Sequence, residues 1–252
     1  MEILTPLEKG TIFEMPLPNG ETLQSLFNQW PSIYVDGNST LISYTIDKIG
    51  LRTLIDISCA TRLDTLHIRE THYCGGSAIV LKVCSSGPYD HGAAPNPLRY
   101  IMEVNGRLII KNEKLCIDPC YERNRVAKTA IARQIRAAIN DFGAIWVDAA
   151  GSGYANRTSS GARQLTGYDY WPKLGFDGDL TPIFWTELLQ SNINVYNSLP
   201  RASVRTVRDL RSLPGGENIW KQHGIETMMK IELSALNPDI VWVNGYLGGL
   251  GI

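Results

Sequence analysis

Arg123, Arg125 and Lys128 lie close together, after the apolar stretch Leu115-Cys116-Ile117 and before a run at helical spacing that begins at Ala127. Leu115 to Pro119 reads as the end of a strand, so the pattern is a strand, a basic turn and a helix. Such a turn presents unpaired backbone N–H groups and the positive end of the helix dipole to an anion, and the three cations add charge there. A pyrophosphate suits that chemistry. Solvated surface cations at a helix start are an equally good reading of the same local sequence. Cys116 and Cys120 flank the turn, where cations and a helix start favour a thiolate, but no histidine stands near them in sequence. His67, His72 and Cys74 lack the spacing of a zinc ligand set. No Walker A loop, G-x-S-x-G elbow or H-E-x-x-H pattern occurs.

The elements that must position this turn follow from periodicity. Residues 1 to 20 read as a loosely ordered arm. Leu23, Leu26, Phe27 and Trp30 are spaced for one face of a helix over Glu21 to Trp30, which Pro31 ends. From Leu41 to Ile57 the apolar positions fit a helix and a strand equally well. Leu66 to Val83 is strand-like and broken at Gly75-Gly76, and a turn-rich loop runs from Ser85 to Pro97. Arg99 to Val104 and Leu108 to Ile117 read as a hairpin around Asn105-Gly106. Ala127 to Asp141 reads as a helix stopped at Gly143, and Ala144 to Val147 as a short buried strand. The remainder is helical and loop-rich, with helices expected at Trp185 to Gln190, Thr206 to Leu213 and Glu217 to Gln222. The order of elements is that of an α/β protein with a helix crossing back to a sheet.

Composition bounds the rest. The chain has 252 residues, 44% hydrophobic, with 24 Lys plus Arg against 25 Asp plus Glu and a formal net charge of -1. A chain of this length buries a core without disulfide or metal staples. The balanced charge argues against a general nucleic-acid binder. No apolar run approaches the roughly 18 residues of a membrane span, and the N-terminus lacks the pattern of a signal peptide. The expected compartment is therefore cytoplasmic. Five cysteines without a C-x-x-C pair suit reduced thiols better than a disulfide framework.

Over residues 65 to 180 the order of elements resembles the GNAT N-acetyltransferase superfamily. The turn Arg123-Asn124-Arg125-Val126-Ala127-Lys128 is similar to that family's Q/R-x-x-G-x-G/A turn. Trp171-Pro172-Lys173-Leu174-Gly175-Phe176 resembles its Y-x-x-L-G-F motif, and Gly143 to Ala150 its buried strand after the helix. Val126 and Lys128 stand where the family carries glycine, and Trp171 where it carries a tyrosine that protonates the departing thiolate. Tyr168 and Tyr170 are the neighbouring phenols.

The resemblance implies an α/β fold with a GNAT-like mixed central sheet and flanking helices. It divides the chain into an N-terminal extension (1–64), a core (65–180) and a C-terminal helical extension (181–252). It further implies that Leu115, Cys116 and Ile117 bind the pantetheine arm of acetyl-CoA, and that Arg123, Arg125, Val126, Ala127, Lys128 and Thr129 bind its pyrophosphate. Glu113 is expected as the base, ahead of Glu103 and Asp118, with Tyr170 as the acid. The expected activity is acyl transfer from an acyl-CoA to an amine. The alternative is a GNAT-like protein without activity that binds a protein partner in a bacterial effector, toxin or phage-related system. The altered glycines and the missing tyrosine favour the alternative, and the retained cations favour transfer. No metal site, membrane contact or general nucleic-acid binding is expected.

Overall fold

The computed structural model describes Gly20 and residues 22–36, 40–73, 75–85, 98–104, 107–115, 125–142, 146–151, 167–234, 237 and 240–250. It shows a mixed α/β protein with two compact units, residues 1–147 with 232–252, and residues 148–231. Among the described residues no helix is long and apolar enough to cross a membrane.

Unit 1 opens with α1 (Leu23–Asn28), capped by the Thr22 side chain, and β1 (Ser32–Asp36). Two helices follow, α2 (Thr40–Ile49) and α3 (Leu51–Ser58). The sequence left this stretch undecided between helix and strand. The structure makes it two helices because Gly50, at φ 86°, takes a backbone conformation that side-chain-bearing residues rarely adopt and divides one apolar run into two. Next come β2 (Asp64–Tyr73), β3 (Gly76–Ser85), β4 (Leu98–Val104) and β5 (Arg107–Lys114). They form a sheet in the order β1-β2-β3-β4-β5. β1 is parallel to β2, and the helical pair supplies the crossover that a parallel neighbour requires. The other pairs are antiparallel hairpin partners.

One face of this sheet carries Leu66, Ile68, Ile79, Leu81, Ile101 and Ile110, all buried. α3 packs on β3 and β4, and α3 also packs against α4 (Val126–Ala137). α4 ends in a π-helical turn, Ala138–Phe142, earlier than the helix expected to Asp141. Thr129 to Ile135 of α4 are all buried, so the helix is enclosed on nearly every side, with alanines allowing close approach. Two of its three buried polar side chains meet partners on α3 and β5. Arg133 pairs with Asp56 of α3, with its guanidinium 5.0 Å from the Phe27 ring centroid, and Arg52 stands 3.6 Å from the same carboxylate. Gln134 donates to the Ile57 carbonyl at 2.7 Å and exchanges two 2.9 Å bonds with Asn112 of β5. Arg99 of β4, fully buried, donates to the Leu98 carbonyl and lies 3.6 Å from Cys59 Sγ. Burial pushes the Cys59 thiol up despite Arg99, which keeps it a structural group. The unit closes with α10 (Val241–Gly249), packed on α4.

β6 (Trp146–Gly151) begins in unit 1 and ends in unit 2, where it neighbours β7 (Thr227–Glu232). Between them lie α5 (Gly167–Lys173), α6 (Pro182–Ser191), α7 (Ile193–Ser198), α8 (Val207–Ser212) and α9 (Gly216–His223). The Trp171-to-Phe176 stretch is a helix stop. Gly175 has φ 96°, the Phe176 N–H bonds the Trp171 carbonyl, and the Gly175 N–H bonds the Pro172 carbonyl. Trp171, Leu174 and Phe176 are buried, the two rings 4.9 Å apart. Phe184, Leu188, Leu210 and Trp220 fill the helical core. α8 starts on a capping box in which Thr206 accepts from the Asp209 N–H and Asp209 accepts from the Thr206 N–H.

Two outcomes follow for folding. Arg133→Met alone leaves Asp56 buried without its main partner and is expected to cost about 3 to 5 kcal/mol in urea unfolding, much of it recovered by adding Asp56→Leu. Backbone N–H bonds from Arg205 and Thr206 hold the Asp209 carboxyl below its usual 3.8. Its folded value is the depressed one, so its contribution is complete above that usual value and is lost as pH falls through the folded value. Asp209→Asn should therefore show a shallower acid-side loss of stability than wild type in unfolding titrations followed across that range.

Candidate functional site

The start of α4 is built around Arg125, which stands at the N-cap in the left-handed region, at φ 60° and ψ 12°. A non-glycine residue adopts this conformation only when its surroundings demand it. Arg125 offers the helix no side-chain acceptor, and the first helical bond is that of Thr129 N–H to the Arg125 carbonyl. The backbone N–H groups of Val126, Ala127 and Lys128 precede that bond, and they carry the positive end of the dipole. One guanidinium nitrogen of Arg125, Nη1, is buried with no hydrogen-bond partner among the described residues.

α10 packs against the first turn of α4. Lys128 Nζ lies 5.1 Å from the Trp242 ring centroid and 4.8 Å from that of Tyr246. Thr129 is buried, its hydroxyl 3.0 Å from Tyr246 Oη. Burial pushes the Tyr246 phenol up, against the Thr129 bond and the Arg125 charge, so it remains protonated at neutral pH. Val126 is buried in the core. Ala127 and Leu115 are half-buried. Cys116, Ile117, Arg123, Cys120 and Asp118 lie outside the described residues.

Glu113 occupies a distinct position at the end of β5. Leu98 pairs with Lys114 while Arg99 pairs with Asn112, so Glu113 is an extra residue opposite the Leu98–Arg99 step, a β-bulge. Bulges re-aim a side chain and end regular pairing. Glu113 is exposed, and its Oε2 accepts from Tyr73 Oη at 3.4 Å and lies 3.6 Å from Lys111 Nζ. Lys111 Nζ in turn donates to Tyr73 Oη and sits 4.8 Å from the centre of the Tyr73 ring. Tyr73 stacks on Tyr100 at 4.0 Å. Ala78, Met102 and Ile109 form the apolar floor beneath the two rings. By register this group occupies the sheet face opposite the one covered by α3 and α4. Tyr73 ends β2 opposite Gly76 of β3 and packs, with Tyr100, against the cluster of Ala78, Met102 and Ile109.

Tyr170 is half-buried on α5 in unit 2, its ring edge-on to Trp171 at 5.9 Å. Glu103 is exposed on β4. His67 stacks on Tyr34 of β1, 3.5 Å from Asp36, and His72, five residues on, points to the opposite face of the same strand. Those two histidines cannot share a metal. Tyr73, Lys111, Trp242 and Tyr246 escaped sequence reasoning. Lys111 and Glu113 share alternate positions of one strand, which is a local signal, but Tyr73 and α10 join through contacts distant in sequence. No protein-family model, curated protein or solved structure matches the chain.

Proposed function

We propose that the chain is a GNAT-like, acyl-CoA-dependent N-acyltransferase that moves an acyl group, acetyl in the simplest case, to an amine. One observation carries the reading: β5 leads from a bulged carboxylate, Glu113, toward a helix whose start holds a buried guanidinium nitrogen that has no partner among the described residues, and no side-chain cap. A diphosphate would supply acceptors to Arg125 Nη1, which has none among the described residues, and to the N–H groups at the start of α4. Gln134, which meets Asn112 next to Glu113, is nine residues along α4 from Arg125. That is about 13 Å of helix, and because Glu113 lies on the other face of the sheet an extended thioester cofactor would have to pass β5 at its bulged end to reach it. Glu113 then accepts the proton that the amine loses as it attacks the carbonyl carbon. The reading expects Arg123 to add charge for the diphosphate and Leu115 to Ile117 to bind the cofactor's pantetheine arm. In this reading the Trp171 motif contributes packing rather than a proton.

A second reading has its own support. Lys128 and Thr129 are engaged with Trp242 and Tyr246, as expected of a GNAT-like binding protein that has given up the cofactor and works through a protein partner.

Isothermal titration of acetyl-CoA separates the two. Transfer requires binding that the Arg123→Ala, Arg125→Ala double variant weakens, each charge-assisted contact contributing about 1.5 to 3 kcal/mol, or on the order of ten- to a hundred-fold in affinity. Equal affinity in the double variant moves the site elsewhere. No binding by wild type sinks the transferase reading and leaves the binding protein.

A further inference from the structure

We infer that β1 is a seam between two copies of the chain, whose β1 strands pair antiparallel about a two-fold axis at Tyr34 and join their sheets edge to edge; the inference does not depend on the transferase reading. β1 is the outermost strand, paired with β2 alone, in unbroken register from Ser32 opposite Thr65 to Asp36 opposite Arg69. Its second edge therefore presents backbone N–H and C=O groups to which no strand among the described residues is paired. Proteins that keep such an edge single blunt it with lysine, proline, a bulge or a covering element. Ser32-Ile33-Tyr34-Val35-Asp36 contains no lysine or proline, and its register shows no bulge. Tyr34 is 58% and Val35 47% exposed, and consecutive strand residues face opposite sides of a sheet, so the edge is bare on both. Trp30, Tyr34, Val35 and Tyr44 are four of the nine large apolar side chains that are exposed among the described residues. Apolar exposure gathered in one short stretch marks an interaction surface rather than scattered surface residues.

The strand is complementary to its own reversal, which selects a second copy as the partner. Turned antiparallel about Tyr34, Ser32 lies opposite the partner subunit's Asp36, Ile33 opposite the partner subunit's Val35, and Tyr34 opposite the partner subunit's Tyr34. Asp36 is the one charged residue of the strand, so it meets a hydroxyl that can donate to it and no like charges face each other. Ile33 and Val35 share the face that carries Leu66 and Ile68, and the apolar layer there continues across the seam. On the other face Tyr34 is stacked on His67 at 5.3 Å, with Asp36 3.5 Å from the same imidazole. His67 and Tyr34 of each copy then form a row of four rings, the kind of cross-strand aromatic contact that stabilises sheets. A two-fold axis makes every contact twice and uses up both edges, so the assembly closes at two copies.

Sedimentation equilibrium of the full chain tests the seam. Wild type should approach a mass twice the 28.0 kDa of one chain as concentration rises. Tyr34→Lys and Tyr34→Glu each set like charges against one another at the two-fold axis, and each should run as a monomer with an unchanged circular dichroism spectrum. Their equimolar mixture should return to the dimer, because lysine then faces glutamate. Val35→Lys leaves the Tyr34–His67 stack in place, should also run as a monomer, and decides the matter if a Tyr34 variant loses its fold. A wild type that is monomeric at every concentration overturns the seam, as does a dimer that all three substitutions leave intact. Folded monomeric variants whose mixture stays monomeric overturn the pairing of Tyr34 with its own copy.

Discussion

Arg133 carries a full charge in the middle of a helix enclosed by its own unit, and a charge survives there only if its partners are placed to meet it. Asp56 and the face of Phe27 do so. An apolar pair of the same volume could be as stable, but it would let α4 slide and rotate against α3. The guanidinium–carboxylate contact, with Gln134 bonded to Ile57 and Asn112 on the next position of the helix, fixes both rotation and height. The start of α4 is set by that register, because a helix transmits the placement of its third turn to its first. Arg125 can then hold its left-handed conformation, since the helix it begins cannot move to relieve it.

The sheet divides two kinds of chemistry. Its face under α3 meets buried polar groups, with Arg99 bonded to the Leu98 carbonyl, Arg133 paired with Asp56 and Gln134 bonded to the Ile57 carbonyl. Its other face carries Glu113, Lys111, Tyr73 and Tyr100 beside Ala78, Met102 and Ile109, which are themselves buried. A strand end with a bulge is the natural crossing between the two, because regular pairing has already stopped there.

Strands and helices with clear periodicity were legible in the sequence: the β4–β5 pair, α4 and the helices now numbered α6, α8 and α9 all fall near their expected places. β1 was not, because a short edge strand exposed at most positions has no alternation to read. α10 was not, because its residues are apolar without a polar face. Glu113 was selected for its residue type and position, yet its bulge depends on how β4 registers against β5, which no single strand reveals. Lys128 reads locally as a free cation at a turn. Its resting place on Trp242 and Tyr246 is a contact across more than a hundred residues, beyond the reach of spacing arguments.

Ala78 carries no polar atom, yet the arrangement above it depends on its size. Its methyl group forms, with Met102 and Ile109, the cluster against which Tyr73 and Tyr100 pack. A valine or leucine there would suit a strand equally well by propensity and would lift the phenol away from Lys111 and Glu113. Divergent copies of this sequence could thus lose or regain the three-residue cluster through changes at position 78 alone, with every residue of the cluster left intact.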